Sequence, residues 1–371
     1  MGKVKHKDTA ILCWCGSERP YKECHLDREK QKPLEVYEAT EHFQKEFSRR
    51  CCMHPQQSST ECSKQIVEAH SVSRSTNLRS IAENGHVMQF IPGTPSSIDQ
   101  NGGVLSAQRI GVNKASVFTG FCHNHDNSTF KLIDQPIVAL SDQHIFLLSF
   151  RAICREMLMK MAAMRFMKFV REMDREKDVS SQKMIQEINH FREQTLKLGL
   201  KDLNEAKAKY DEALLSEIFG GISWYLIELD HSLDIVCTVG FTPEVDFHGN
   251  RLQILNHPNT SADTMTCSII KTANGSAIVL AWLSETNEAC SRFVASLEKI
   301  SNGLLPTAII RMVFEYGENV FFSPSWWNNL DESAKNIIKT HANSFYDKPS
   351  DCLKHDDKKL ALWSVTRRER R

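Results

Sequence analysis

With 371 residues, 41% of them hydrophobic and 25% charged, the chain has an ordinary globular composition and a length that suggests two or three domains. Its 46 basic and 46 acidic residues cancel, so no global field draws it to nucleic acid or a membrane, and any basic surface has to be local. The first ten residues (MGKVKHKDTA) lack the apolar core of a signal peptide. The most apolar helical stretch, 145–170, carries six charges from Arg151 to Lys168, which excludes a membrane span of about 20 nearly uncharged residues. A cytoplasmic protein with no membrane partner is expected. Twelve cysteines in such a compartment point to metal or buried thiols rather than disulfides, and seven of the twelve precede residue 123.

Residues 8–27 form a small cysteine-rich unit. Cys13-Trp-Cys15-Gly-Ser and Cys24-His25 place four soft ligands within thirteen residues. Thiolates with an imidazole suit tetrahedral zinc, and so short a segment cannot bury enough core to fold unaided. Gly16 and Ser17 supply the turn around the ion. The pattern Cys-x-Cys-Gly-Ser, Tyr-Lys, Cys-His resembles the SEC-C zinc motif. That resemblance implies that Cys13, Cys15, Cys24 and His25 hold a structural Zn²⁺ and that the knuckle docks protein partners.

A charged linker, 28–49, is predicted to be helical. Residues 50–140 mix cysteines, histidines, Gly/Pro/Ser loops and short apolar runs. Cys122-x-x-His125 has the spacing of a zinc pair at a helix start. Cys52 and Cys62 are candidates to complete the set, with Cys51 and His54 as rivals. Residues 141–219 show apolar residues at three- and four-residue spacing, which predicts a hairpin of two long helices with Ser180 as N-cap and Gly220-Gly221 as stop. Its methionine-rich helix (Met157, Met159, Met161, Met164, Met167) reads as hairpin core or a homo-oligomer (dimer) interface rather than an adaptable partner groove. Residues 220–346 switch to short β-branched runs followed by helices, an α+β domain. Within it, Trp326-Trp327 reads as a packing anchor rather than a stacking platform. The loop group Asp230, Glu244, Asp246 and His248 fits no metal motif. Residues 347–371 are expected to be a basic tail ending in Arg367, Arg368, Arg370 and Arg371, matched at the front by Lys3, Lys5 and Lys7.

The order of a cysteine hairpin, then Val67-Glu68-Ala69-His70, then Cys122-x-x-His125 with Asp126 resembles the zinc-bearing HNH endonucleases. That resemblance implies a zinc-stapled ββα (treble-clef-like) region. It assigns His70 as general base and Asp126 as ligand of a catalytic Mg²⁺ or Mn²⁺, acting on a phosphodiester of DNA or RNA. Asp126 stands where that family has histidine or asparagine. For the family's middle asparagine the chain offers Asn113 or Asn77. An insertion containing PGTPSSIDQNGG separates His70 from Cys122. The stretches Ala69–Val87, Ala115–Asp126 and Glu318–Trp327 also resemble bacterial SEC-C domain-containing proteins with no assigned activity, which hints at a phage-defence setting. The expected architecture is therefore an α+β multi-domain chain: zinc knuckle, HNH-like zinc region, long helical hairpin and C-terminal α+β domain. The alternative function is a non-catalytic adaptor, binding protein partners through the knuckle or the C-terminal domain.

Overall fold

The computed structural model describes residues 11–92, 104–231, 233–255, 259–284, 288–344, 351–354 and 358–371. Lys3, Lys5, Lys7 and most of the PGTPSSIDQNGG insertion lie outside the described residues. The chain divides into two compact units, Met1–Phe47 with Lys160–Leu198, and Ser48–Met159 with Gly199–Arg371.

The first unit contains the cysteine-rich segment, a helix Val36–Phe47 and the parts of two long helices that lie nearest their connection. Those helices run Asp142–Val170 and Val179–Ser216, joined through a 3₁₀ turn Arg171–Asp174. Helix Val36–Phe47 packs its aromatic side on the first of them, with Phe43 edge-on to Phe166 and His42 stacked on Phe169. The Arg165–Glu46 ion pair at 2.9 Å closes the contact. The second long helix starts one residue before Ser180. Asp178 accepts from the N–H groups of Ser180 and Ser181 at 2.9 and 3.1 Å, and so does the capping expected of Ser180.

In the second unit, strands β1 (Ala69–His70), β2 (His86–Ile91), β3 (Ser106–Gly111) and β4 (Val117–Phe118) come first. They are followed by β5 (Ile222–Leu229), β6 (Ile235–Phe241), β7 (Met265–Thr272), β8 (Gly275–Leu283), β9 (Val320–Phe322) and β10 (Val365–Arg370). β1 and β4 form a separate antiparallel ribbon. The other eight make one antiparallel sheet in the order β10-β5-β8-β7-β6-β9-β2-β3.

Alternation explains why the central strands read as unbroken apolar runs. Ile278, Leu280 and Trp282 of β8 face the cluster built with helices Glu288–Glu298 and Leu305–Tyr316. Ala277, Val279 and Ala281 face the cluster of Phe121, Phe130, Phe146 and Phe150. A sheet covered on both sides has no polar face to show in the sequence.

Two expectations change here. β2 and β3, from inside the 50–140 stretch, belong to the large sheet, because Phe90 packs edge-on to Phe314 and Trp327. The C-terminal basic run is no free tail: β10 pairs with β5 from Val365↔Leu229 to Arg370↔Tyr225. Among the described residues no helix is long and apolar enough to cross a membrane.

Candidate metal centres

The first cluster is made by one tight loop and one helical turn. Cys13 N–H donates to the Arg19 carbonyl at 2.8 Å, and Leu12 bridges to Pro20. Gly16 sits at φ +73°, where any side chain would be strained. The turn Tyr21–Cys24 then returns Cys24 and His25 to the loop. His25 Nδ1 lies 3.1 Å from Cys13 Sγ and 3.2 Å from Cys24 Sγ, and Cys15 Sγ lies 3.5 Å from Cys24 Sγ. A tetrahedral ion with Zn–S of about 2.3 Å and Zn–N of about 2.0 Å separates its donors by roughly 3.5 Å. The donor set and its spacing therefore fit zinc. The segment's own apolar cluster is only the three cysteines with Tyr21, which leaves the ion as the main cross-link.

The other ring nitrogen, His25 Nε2, donates to Asp174 Oδ2 at 2.8 Å. Asp174 is fully buried at the end of the 3₁₀ turn and also accepts from Arg28 Nε at 2.8 Å and Gln186 Nε2 at 2.7 Å. Burial alone would depress the Arg28 pKa, but its bonds to Asp174 and Glu172 and their charges raise it instead.

The second cluster is assembled from distant pieces. The segment at Cys51–Met53 donates to the carbonyls of Thr119 and Gly120, while Ile66 bridges to Cys122 and Val67 donates to Phe121. Gly120 is required, since a Cβ there would lie 2.7 Å from the Phe118 ring. The helix His123–Phe130 starts directly after Cys122. His125 Nδ1 stands 3.3 Å from Cys52 Sγ, 3.6 Å from Cys62 Sγ and 3.3 Å from Cys122 Sγ. As in the first cluster, the four donor atoms lie within 4.8 Å of one another. Of the rivals, Cys51 is not in this set, and His54 lies flat on the His125 ring at 4.0 Å. Burial, then the charges of His125 and Lys207, push the His54 pKa down to about 4, which keeps it neutral.

His70 stands at the end of β1, and Asp126 follows the ligand His125 directly in the first turn of the helix. His70 Nε2 and Asp126 Oδ1 are both out of contact with solvent and have no hydrogen-bond partner among the described residues. Burial lowers the His70 pKa, helped by Arg74 and Arg151 and opposed by the Val112 backbone and Asp134. Burial raises that of Asp126, with Arg151 opposing and Asp134 adding to the rise. Both groups thus feel the same ion pair. Arg151 binds Asp134 through both guanidinium arms at 2.8 and 3.0 Å and donates to the His70 carbonyl at 3.2 Å. Its guanidinium lies 4.1 Å from the Phe130 ring centre.

Arg151 and Asp134 were missed as site residues in the sequence. The available signal was a lone arginine between Phe150 and Ala152 on an apolar helix face. Of the candidate asparagines, Asn113 accepts from Arg74 at 3.2 Å, and Asn77 caps the Lys271 N–H at 2.8 Å. Neither is joined by a hydrogen bond to His70 or Asp126. Asn319 donates to Ser71 Oγ and to the Thr238 carbonyl, so it ties the residue after His70 to the sheet. Trp327 is buried in the core with Trp326 packed beside it on Phe322. Asp246 holds its own loop by accepting from the N–H groups of His248 and Asn250, both at 2.8 Å.

Searches of curated proteins and of solved structures give no match to this chain. One family model does match: residues 11–27, the segment that carries the first Cys₃His cluster, correspond to the SEC-C motif.

Proposed function

We propose that the second unit hydrolyses phosphodiester bonds in DNA or RNA in the manner of an HNH endonuclease, with His70 as general base and Asp126 as divalent-cation ligand. The observation that carries this reading is the pair of buried, unpartnered atoms, His70 Nε2 and Asp126 Oδ1, in the unit that holds the second Cys₃His cluster. A buried polar atom without a partner costs free energy, and one reason to keep it is a ligand or reaction. The order of ribbon β1–β4 and helix His123–Phe130 supports a ββα reading. His70 Nε2 would take the proton of the water whose oxygen attacks phosphorus, as the bond to the leaving oxygen breaks. A lowered pKa keeps that nitrogen unprotonated at neutral pH. A cation at Asp126, Mg²⁺ or Mn²⁺, would supply charge neutralisation at the phosphate and the leaving oxygen. Exposed Arg74, close enough to depress the His70 pKa, suits a phosphate of the nucleic-acid partner.

A second reading, the adaptor, has its own support. The knuckle exposes Ile11, Leu12, Trp14 and Leu26, an apolar patch suited to a protein partner. The second long helix exposes Met184, Ile188 and Phe191 on one stripe, suited to self-association.

Plasmid nicking and RNA cleavage with Mg²⁺ or Mn²⁺ test the choice. Cleavage by the wild type that is lost in His70→Ala supports the nuclease. Cleavage that survives His70→Ala removes the mechanism, and none with any metal favours the adaptor.

A further inference from the structure

We propose that Asp174 is a positioning residue for the zinc site of the SEC-C segment. In this role the loaded knuckle is a fixed part of the first unit, latched to the turn between the two long helices. Three observations converge on this carboxylate, and a fourth ties the same turn to a ligand. His25 turns Nδ1 toward the sulfurs of Cys13 and Cys24 and Nε2 toward Asp174, so the bond to Asp174 selects the tautomer that leaves Nδ1 free for the ion. Arg28, three residues after His25, reaches the other Asp174 oxygen and also donates to the Arg171 carbonyl at 3.3 Å. Gln186, on the second long helix, donates to Asp174 and to the Arg171 carbonyl, both at 2.7 Å. Arg171 in turn donates to the carbonyl of Cys15, itself a ligand, at 3.3 Å.

Asp174, His25 and Arg28 are all buried, so the carboxylate has no water to fall back on. Its charge is held by one guanidinium, one imidazole N–H and one amide N–H. Removal of the ion frees His25 to rotate and withdraws one of those three partners. Metal loading and latching therefore stabilise each other. The consequence for the motif is specific: His25 and Arg28 are taken up by this chain's own turn, and any outside partner is left the exposed Ile11 and Leu12.

Chelator competition on the full chain, followed by limited trypsin digestion, tests the latch. Asp174→Asn keeps the shape but loses the charge, and it should weaken zinc binding at the first cluster by about 10- to 100-fold, with the second unchanged. His25→Cys restores a four-ligand site without the Nε2–H. It should keep zinc yet admit trypsin at Arg28, a site closed in the zinc-loaded wild type and opened by chelation. Wild-type zinc affinity in Asp174→Asn, or protection at Arg28 that persists in His25→Cys, overturns the proposal. If Asp174→Asn unfolds outright, the His25→Cys digestion decides alone.

Discussion

The two Cys₃His clusters have the same ligand chemistry and opposite surroundings. Around the first, the second nitrogen of His25 is bonded to Asp174, and Asp174 is itself fully partnered. In the unit that holds the second, His70 Nε2 and Asp126 Oδ1 are buried and have no hydrogen-bond partner among the described residues. The first cluster is local, with almost no apolar packing of its own, whereas the second is stitched together by backbone pairing over a phenylalanine-rich core. The lesson is that ligand sets alone do not separate a staple from a reactive neighbourhood. Under the proposed nuclease reading, the satisfaction of the adjacent polar atoms does.

The largest expected effect would break or establish that contrast directly. His70→Ala should lower metal-dependent cleavage by about 10²- to 10⁴-fold, the usual contribution of a general base, with unchanged circular dichroism. An equal loss in Cys13→Ser would mean that the two clusters are not distinct in role.

Next comes the packing difference. Cys122→Ser should cost one zinc ion and lower the main melting transition by at least about 2–4 °C, the shift of ~1 kcal/mol in a body of this size. Cys13→Ser should also cost one zinc ion but leave that transition in place. Calorimetry with metal analysis separates the two outcomes. A change of the same order is expected from Arg151→Met, which leaves Asp134 without its bidentate partner. Breaking a buried pair costs about 3–5 kcal/mol, but Asp134 is 41% exposed, so about 2 kcal/mol in urea unfolding is expected.

The smallest and sharpest effect is on pH. The folded pKa of His70 lies below its ordinary value of about 6.5, so the base form persists as pH falls through that value. Cleavage should therefore decline only on an acid limb with its inflection below about 6.5. An inflection above pH 7 would take His70 out of the base role.

Legibility in the sequence followed distance along the chain. Cys13, Cys15, Cys24 and His25 were readable because their spacing is the motif. Cys52, Cys62, Cys122 and His125 could be proposed from order alone, but the choice of Cys52 over Cys51 rests on which side chain of an extended segment faces the ion. Asp174 was invisible, because nothing local marks a partner 149 residues from His25. Arg151 was read only as a charge that rules out a membrane span, since a buried arginine and an exposed one look alike until Asp134 is placed beside it. The long helices were clear from their period, while β2 and β3 are too short for periodicity to assign them to the large sheet.

The closing run Val365–Arg370 has one more consequence. β5 carries Trp224-Tyr225-Leu226-Ile227, an apolar strand whose outer backbone groups are covered by β10. β10 itself presents Arg367, Arg368, Glu369 and Arg370 at the rim of the sheet, and charge of this kind discourages another chain from adding on. Trimming these residues as a loose end would uncover a greasy, flat ribbon with free donors and acceptors, the template on which aggregates grow. The arginines expected to form a basic tail act in this fold as a guard rail.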